Sequence, residues 1–136
     1  MLVISAVLVY VAVRTFQPTE ALALQQAERL RNDLRRMQTL ATTWGQALRL
    51  TVGANGYSIS CVTASALPPC NASPVLDPAT RNPYLVNLEP GLTLSGPTLD
   101  IDPLGRPGGA ATFTIAGGGV PRTVIVTAIT GFATAQ

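Results

Sequence analysis

The chain has 136 residues, 47% of them hydrophobic and 12% charged, and its net charge of +2 rests on arginine alone for the positive side. Histidine and lysine are both absent, which removes the commonest general base and metal ligand and excludes a Ser-His triad, a Cys-His pair and a Ser-Lys pair. So small a charge balance makes no electrostatic case for a nucleic-acid or acidic partner, and the length fits one small domain with an appendage.

Residues 1–16, MLVISAVLVYVAVRTF, carry no charge before Arg14. Spanning a bilayer takes about 20 apolar residues, so this run looks like a membrane helix but is too short to be one by itself. Its β-branched residues do not argue against helix in lipid, where the backbone must satisfy its own hydrogen bonds. Gln17-Pro18-Thr19-Glu20 interrupts the run. Pro18 lacks a donor and disfavours helix at Gln17, so either Thr19 caps a new helix or Pro18 kinks a continuous one.

From residue 20 to 44 the period is helical. Ala23, Ala27, Leu30, Leu34, Met37, Ala41 and Trp44 recur at alternating spacings of 4 and 3 and form one stripe, expected to pack on a sheet. The other face holds Glu28, Arg29, Arg31, Asn32, Asp33, Arg35 and Arg36. Acids interleave with its arginines, which predicts a solvated or subunit-facing surface rather than a nucleic-acid or lipid-headgroup patch. Gly45 is placed to end the helix.

Beyond Gly45 the period changes to alternation. Strands are predicted at 46–52, 56–62, 84–88, 92–96, 97–101, 111–115 and 122–129. Gly53-Ala54-Asn55-Gly56 has the chemistry of a hairpin turn, and Gly117-Gly118-Gly119 joins the last two strands. Residues 63–83 form a Pro-, Ala- and Asn-rich loop. Cys61 and Cys70 bracket CVTASALPPC; a metal would need more ligands, and a redox pair needs CxxC spacing, so a structural disulfide in an oxidising compartment is expected.

No catalytic set emerges, and neither a cofactor nor a metal is expected. Asp100 and Asp102 in TLDIDPLGRP share a face if the segment is a strand, as a cation site or weak acid-base pair would require. The competing reading is a turn over Asp102-Pro103-Leu104-Gly105 in which the Asp102 carboxylate accepts a backbone N–H. The triple glycine joins strands with no helix following, so it is not a phosphate loop.

An apolar N-terminal run, an amphipathic helix and a strand domain with a disulfide, in that order, resemble the type IV pilin and pseudopilin family, in particular its GspH/FimT-like and MSHA-type minor pilins. LVISAVLVYVAVRTF is similar to the second half of the prepilin methylation motif, with Arg14 where proline is common. AERLRNDLRRMQTLATTWGQALRLTV is similar to the family helix and its exit into the first strand, and ITGFAT to the final strand. DIDPLGRP resembles the family's F-D-P-x-G-R-P turn, here Asp102, Pro103, Gly105, Arg106 and Pro107.

The resemblance implies an α+β pilin-like fold: a partial transmembrane or filament-core helix (1–16), an amphipathic helix (17–45) and an antiparallel β-domain (46–136). Leu2, Val3, Ile4, Val7, Leu8, Val11, Val13 and Phe16 would pack in a membrane and then in a filament. The implied role is structural and not enzymatic: a minor pilin or pseudopilin of a type IV pilus or type II secretion system. It would await assembly in the bacterial inner membrane with its C-terminal domain in the periplasm. Its partners would be other pilin subunits. The basic leader, the glycine at the cleavage point and the glutamate of the family signature are absent, so Met1 is expected to lie inside the family's mature chain. A prepilin peptidase would act only on an upstream leader. Two other classes compete. A tip receptor for a surface or DNA is one, although the tail GFATAQ is uncharged and only Arg106 and Arg122 follow Arg81, too few cations for phosphate neutralisation. An unrelated exported β-domain is the other, although residues 1–13 lack a basic n-region and an A-x-A site.

Overall fold

The computed structural model describes residues 18–117, 120–127 and 133–135, and Pro18 is the first residue of the one helix among them. Leu2, Val3, Ile4, Val7, Leu8, Val11, Val13 and Phe16 lie outside the described residues. The helix, α1, runs Pro18–Trp44. It ends as the sequence predicts: Gly45 takes φ 63°, and the Gln46 N–H reaches back to the Ala41 carbonyl at 3.2 Å. Among the described residues no helix is long and apolar enough to cross a membrane.

Among the described residues eight short strands follow: β1 Leu48–Gly53, β2 Gly56–Cys61, β3 Leu85–Asn87, β4 Thr93–Ser95, β5 Leu99–Ile101, β6 Ala111–Ala116, β7 Arg122–Val126 and β8 Ala133–Ala135. They form two antiparallel four-stranded sheets, ordered β3-β2-β1-β5 and β4-β6-β7-β8. The hairpin predicted at 53–56 is present, with Gly53 paired to Gly56. β3, β4 and β5 are shorter than their alternating sequence suggests, because Pro83, Pro90 and Pro97 nearby cannot donate to a ladder.

Alternation decides which side chains enter the core. Leu48, Leu50, Tyr57, Ile59, Val86, Leu99 and Ile101 point inward from the first sheet, and Leu94, Ala111, Phe113, Ile115, Val124 and Val126 from the second. The helix lies against β6, β7 and β8 and reaches β5. Its buried residues join both inner faces in one continuous cluster. Of the predicted stripe, Ala23, Ala27, Leu30, Leu34, Met37 and Ala41 are buried, while Trp44 at the helix end is only partly covered. Leu40 and Gln26 are buried as well, which widens the stripe to the face expected of a core helix.

The long loop is folded back on β2. Val75 N–H donates to the Ile59 carbonyl at 3.0 Å, and Tyr84 N–H to the Val75 carbonyl at 2.7 Å. Cys61 and Cys70 form a disulfide with Cα atoms 5.5 Å apart. Replacing both cysteines by serine is expected to lower the unfolding free energy by roughly 2–3 kcal/mol, the loop-closure entropy of so short a loop, read from urea denaturation. Gly56→Ala is the second test. A Cβ there would sit 2.0 Å from the Val86 carbonyl oxygen, a backbone atom, so β2 and β3 must separate. The expected loss is roughly 1–3 kcal/mol. In Gly53→Ala, where the nearest atom is 3.7 Å away, the urea midpoint should scarcely move.

Candidate functional site

The surface with the most polar organisation is the junction between α1 and the β-domain. Asp33 sits at the margin of the apolar stripe, one turn from Leu30 and Met37. Its carboxylate accepts hydrogen bonds from two phenols: Tyr57 of β2 on Oδ2, and Tyr84, just before β3, on Oδ1 at 2.7 Å. Burial pushes both phenol pKa values well above the ordinary 10.0, and the Asp33 carboxylate adds to the rise in each.

One turn further, the Arg36 guanidinium binds Asp77 in the loop, with Nη2 2.6 Å from Oδ1. Its Cζ also stands 5.8 Å from the centroid of the Tyr84 ring. Asp77 is itself locally held, since its Oδ1 accepts the Ala79 N–H at 2.9 Å and its carbonyl the Arg81 N–H at 2.7 Å. Asp33 and Arg36 therefore correct the expectation of a wholly solvated or subunit-facing polar face. Hydropathy periodicity assigns every polar position outward, whereas phenols and a carboxylate here reach the margin of the stripe.

The third attachment is the 102–107 turn. Asp102 Oδ1 accepts the backbone N–H groups of Leu104 (3.0 Å) and Arg106 (2.8 Å), and the Gly105 N–H donates to the Asp102 carbonyl at 2.9 Å. Gly105 adopts φ 82°, and its carbonyl accepts a hydrogen bond from Gln38 Nε2 of α1 at 3.1 Å. Pro107 is buried and bridges Ile101. Pro103 is exposed, and Arg106 lies 3.7 Å from Asp102. That the turn docks on the helix is invisible in its local sequence.

The structure does not bring Asp100 and Asp102 together as a pair. Asp100 is bound in two places by Arg49 across the β1–β5 ladder, Nε to Oδ1 at 2.7 Å and Nη2 to Oδ2 at 3.0 Å. That bidentate contact holds the Asp100 carboxyl below its usual range and raises the Arg49 guanidinium. Both side chains keep over two-fifths of their surface in contact with water, so the pair adds little to stability. Among the described residues no group of three His, Cys, Asp or Glu side chains could hold a metal ion.

Asp33→Ala is expected to cost about 2–4 kcal/mol, because two buried tyrosines lose a charged acceptor at once. The clamp also predicts an alkaline limb. A phenol whose folded pKa is raised contributes its full stability below the unfolded value of 10.0 and loses it as pH rises beyond that. Unfolding free energy should be flat from neutral pH to about 9 and fall above about 10, with a shallower fall in the Tyr57→Phe, Tyr84→Phe double variant.

Comparison with known proteins follows the same lines. The family described as type II transport protein GspH matches residues 26–131, from the third turn of α1 to just before β8 in sequence. In fold the chain is similar to the type IV minor pilin FimU of Pseudomonas aeruginosa (strain PAO1), seen in two crystal forms. In the P21 form the TM-score is 0.62 at 20% identity, covering 87% of this chain and 91% of that one. In the P65 form it is 0.57 at 18% identity, covering 81% and 89%. No curated protein matches the sequence. One helix packed on antiparallel sheets, with a family match over most of its length, makes this chain a member of the GspH family of type II transport proteins.

Proposed function

We propose that this protein is a minor pilin or pseudopilin, a structural subunit that enters a pilus or pseudopilus by helix packing. The observation that carries the reading is the GspH match over residues 26–131 joined to an apolar run at 1–16, directly upstream of α1. The buried stripe of α1 is consumed by the protein's own sheets. Assembly therefore falls to residues 1–16, which would exchange lipid for the helices of neighbouring subunits. Between helices in lipid the hydrophobic term is small, so van der Waals packing would drive that exchange. The partners are other pilin subunits, and the staging compartment is the inner membrane with the β-domain in the periplasm.

The polar face of α1 and the outer faces of both sheets would then be directed at neighbours or at solvent. Family membership and donor chemistry alike support a structural role rather than an enzymatic one. The test is fractionation of cells that carry the protein, followed with an antibody against the β-domain. The protein is expected in the inner membrane and, after shearing, with surface filaments. Leu8→Asp places a charge in the apolar run and should abolish recovery with filaments while leaving the β-domain folded. Recovery solely in a soluble periplasmic extract would overturn the reading in favour of an exported β-domain.

A further inference from the structure

The edges of the two sheets are not treated alike. β5 is covered by its own turn: the Gly108 N–H donates to the Asp100 carbonyl at 2.8 Å, and Ile101 bridges Pro107. β4 is covered by the β1–β2 hairpin, whose Ala54 carbonyl accepts the Leu94 N–H at 3.0 Å. β3 pairs with β2 on one side and with no strand on the other among the described residues.

The register identifies which backbone groups are left open. Tyr57 pairs with Val86 and Ser58 with Leu85, while the Ile59 N–H binds the Tyr84 carbonyl and the Leu88 N–H the Asn55 carbonyl. Antiparallel pairs alternate, so Val86, Leu88 and the Tyr84 carbonyl face β2, the Tyr84 N–H on the same side binds Val75 of the loop, and Leu85 and Asn87 turn their peptide groups outward. The Leu85 N–H is taken by the Pro83 carbonyl at 2.8 Å. The Leu85 carbonyl and both peptide groups of Asn87 remain on the open side. Leu85 is 56% exposed, an uncovered apolar residue on an uncovered edge.

A groove of about 410 Å³ runs beside this edge between α1 and β3, with Arg29, Asp33, Arg36 and Val86 in its lining. Within it Asp33 is satisfied by two phenols and Arg36 by Asp77. Arg29 is exposed and makes no ion pair among the described residues.

We propose that the β3 edge takes up an extended segment of another polypeptide as a fifth strand, with an acidic residue opposite Val86 and an apolar residue opposite Leu85. Residues opposite one another share a face of a sheet. Val86 points inward, so the residue facing it enters the α1–β3 groove, where Arg29 is the cation left to pair. The residue facing Leu85 lies on the outer face and covers it. The Asn87 N–H and carbonyl and the Leu85 carbonyl supply the main-chain bonds, as in other strand-addition complexes. A second copy of this chain fits less well, because two Arg29 guanidinium groups would meet at one junction. The inference does not depend on the filament reading, since it concerns an edge and not residues 1–16.

The test uses the full chain in detergent micelles and two blocked pentapeptides, acetyl-Thr-Val-Glu-Val-Thr-amide and its lysine counterpart, followed by NMR exchange of the Asn87 amide. The glutamate peptide is expected to slow that exchange with a dissociation constant in the millimolar range. The lysine peptide should bind about threefold or more weakly than this. Arg29→Glu should invert the preference. Asn87→Pro, tolerable on an open edge, should abolish binding with an unchanged thermal midpoint. Equal binding of the two peptides, no slowing of Asn87 exchange, or binding retained by Asn87→Pro would each overturn the proposal. Slowing that appears with rising protein concentration and no peptide would do so too, and would assign the edge to a second copy.

Discussion

Covering the apolar stripe of α1 is the constraint on which the rest of the structure depends. The stripe is long and narrow, with alanines at 23, 27 and 41 that leave no exposed surface and let strands approach closely. Leu30, Leu34 and Met37 fill the space between. Two four-stranded sheets, several of whose strands have only three residues, share the task with the helix in one core cluster. A helix buries a stripe and a sheet buries a face, and the small domain arises where those areas match.

Apolar burial is non-directional and does not set how far the helix slides along the sheets. Three polar attachments within six residues of the helix do. Asp33 is held by Tyr57 and Tyr84, Arg36 by Asp77, and Gln38 by the Gly105 carbonyl. Each joins α1 to a different part of the β-domain: β2 and the start of β3, the long loop, and the 102–107 turn. The disulfide between Cys61 and Cys70 anchors that loop at its other end. The helix and domain are therefore fixed to one another as one piece.

A GspH-family fold of this kind leaves its surface to distinguish one subunit from another. Here three aspartates of the β-domain are committed to structure: Asp100 to Arg49, Asp102 to backbone N–H groups and Asp77 to Arg36. What stays open is backbone at β3 and the Arg29 guanidinium beside it. Recognition at that place rests on a strand edge and one charge rather than on a reaction centre.

The sequence by itself determined the elements. A 4-3 spacing marked the helix to Trp44 and its glycine stop, alternation marked the strands from β1 to β7 but not β8, and Gly-Ala-Asn-Gly marked the first hairpin. The two cysteines could hardly do anything but pair. All of these depend on neighbours within a few residues, which local pattern encodes. Only the tertiary structure decided that the strands divide into two sheets and that β5 returns to pair with β1. It alone decided that Asp33 and Arg36 turn inward, that the 102–107 turn docks on α1, and that β3 keeps an open edge. Those outcomes join residues as much as 67 positions apart, as in Gln38 and Gly105. Hydropathy specifies that a residue is buried but not against what, and a polar side chain beside an apolar stripe reads as solvated until its partner is in place.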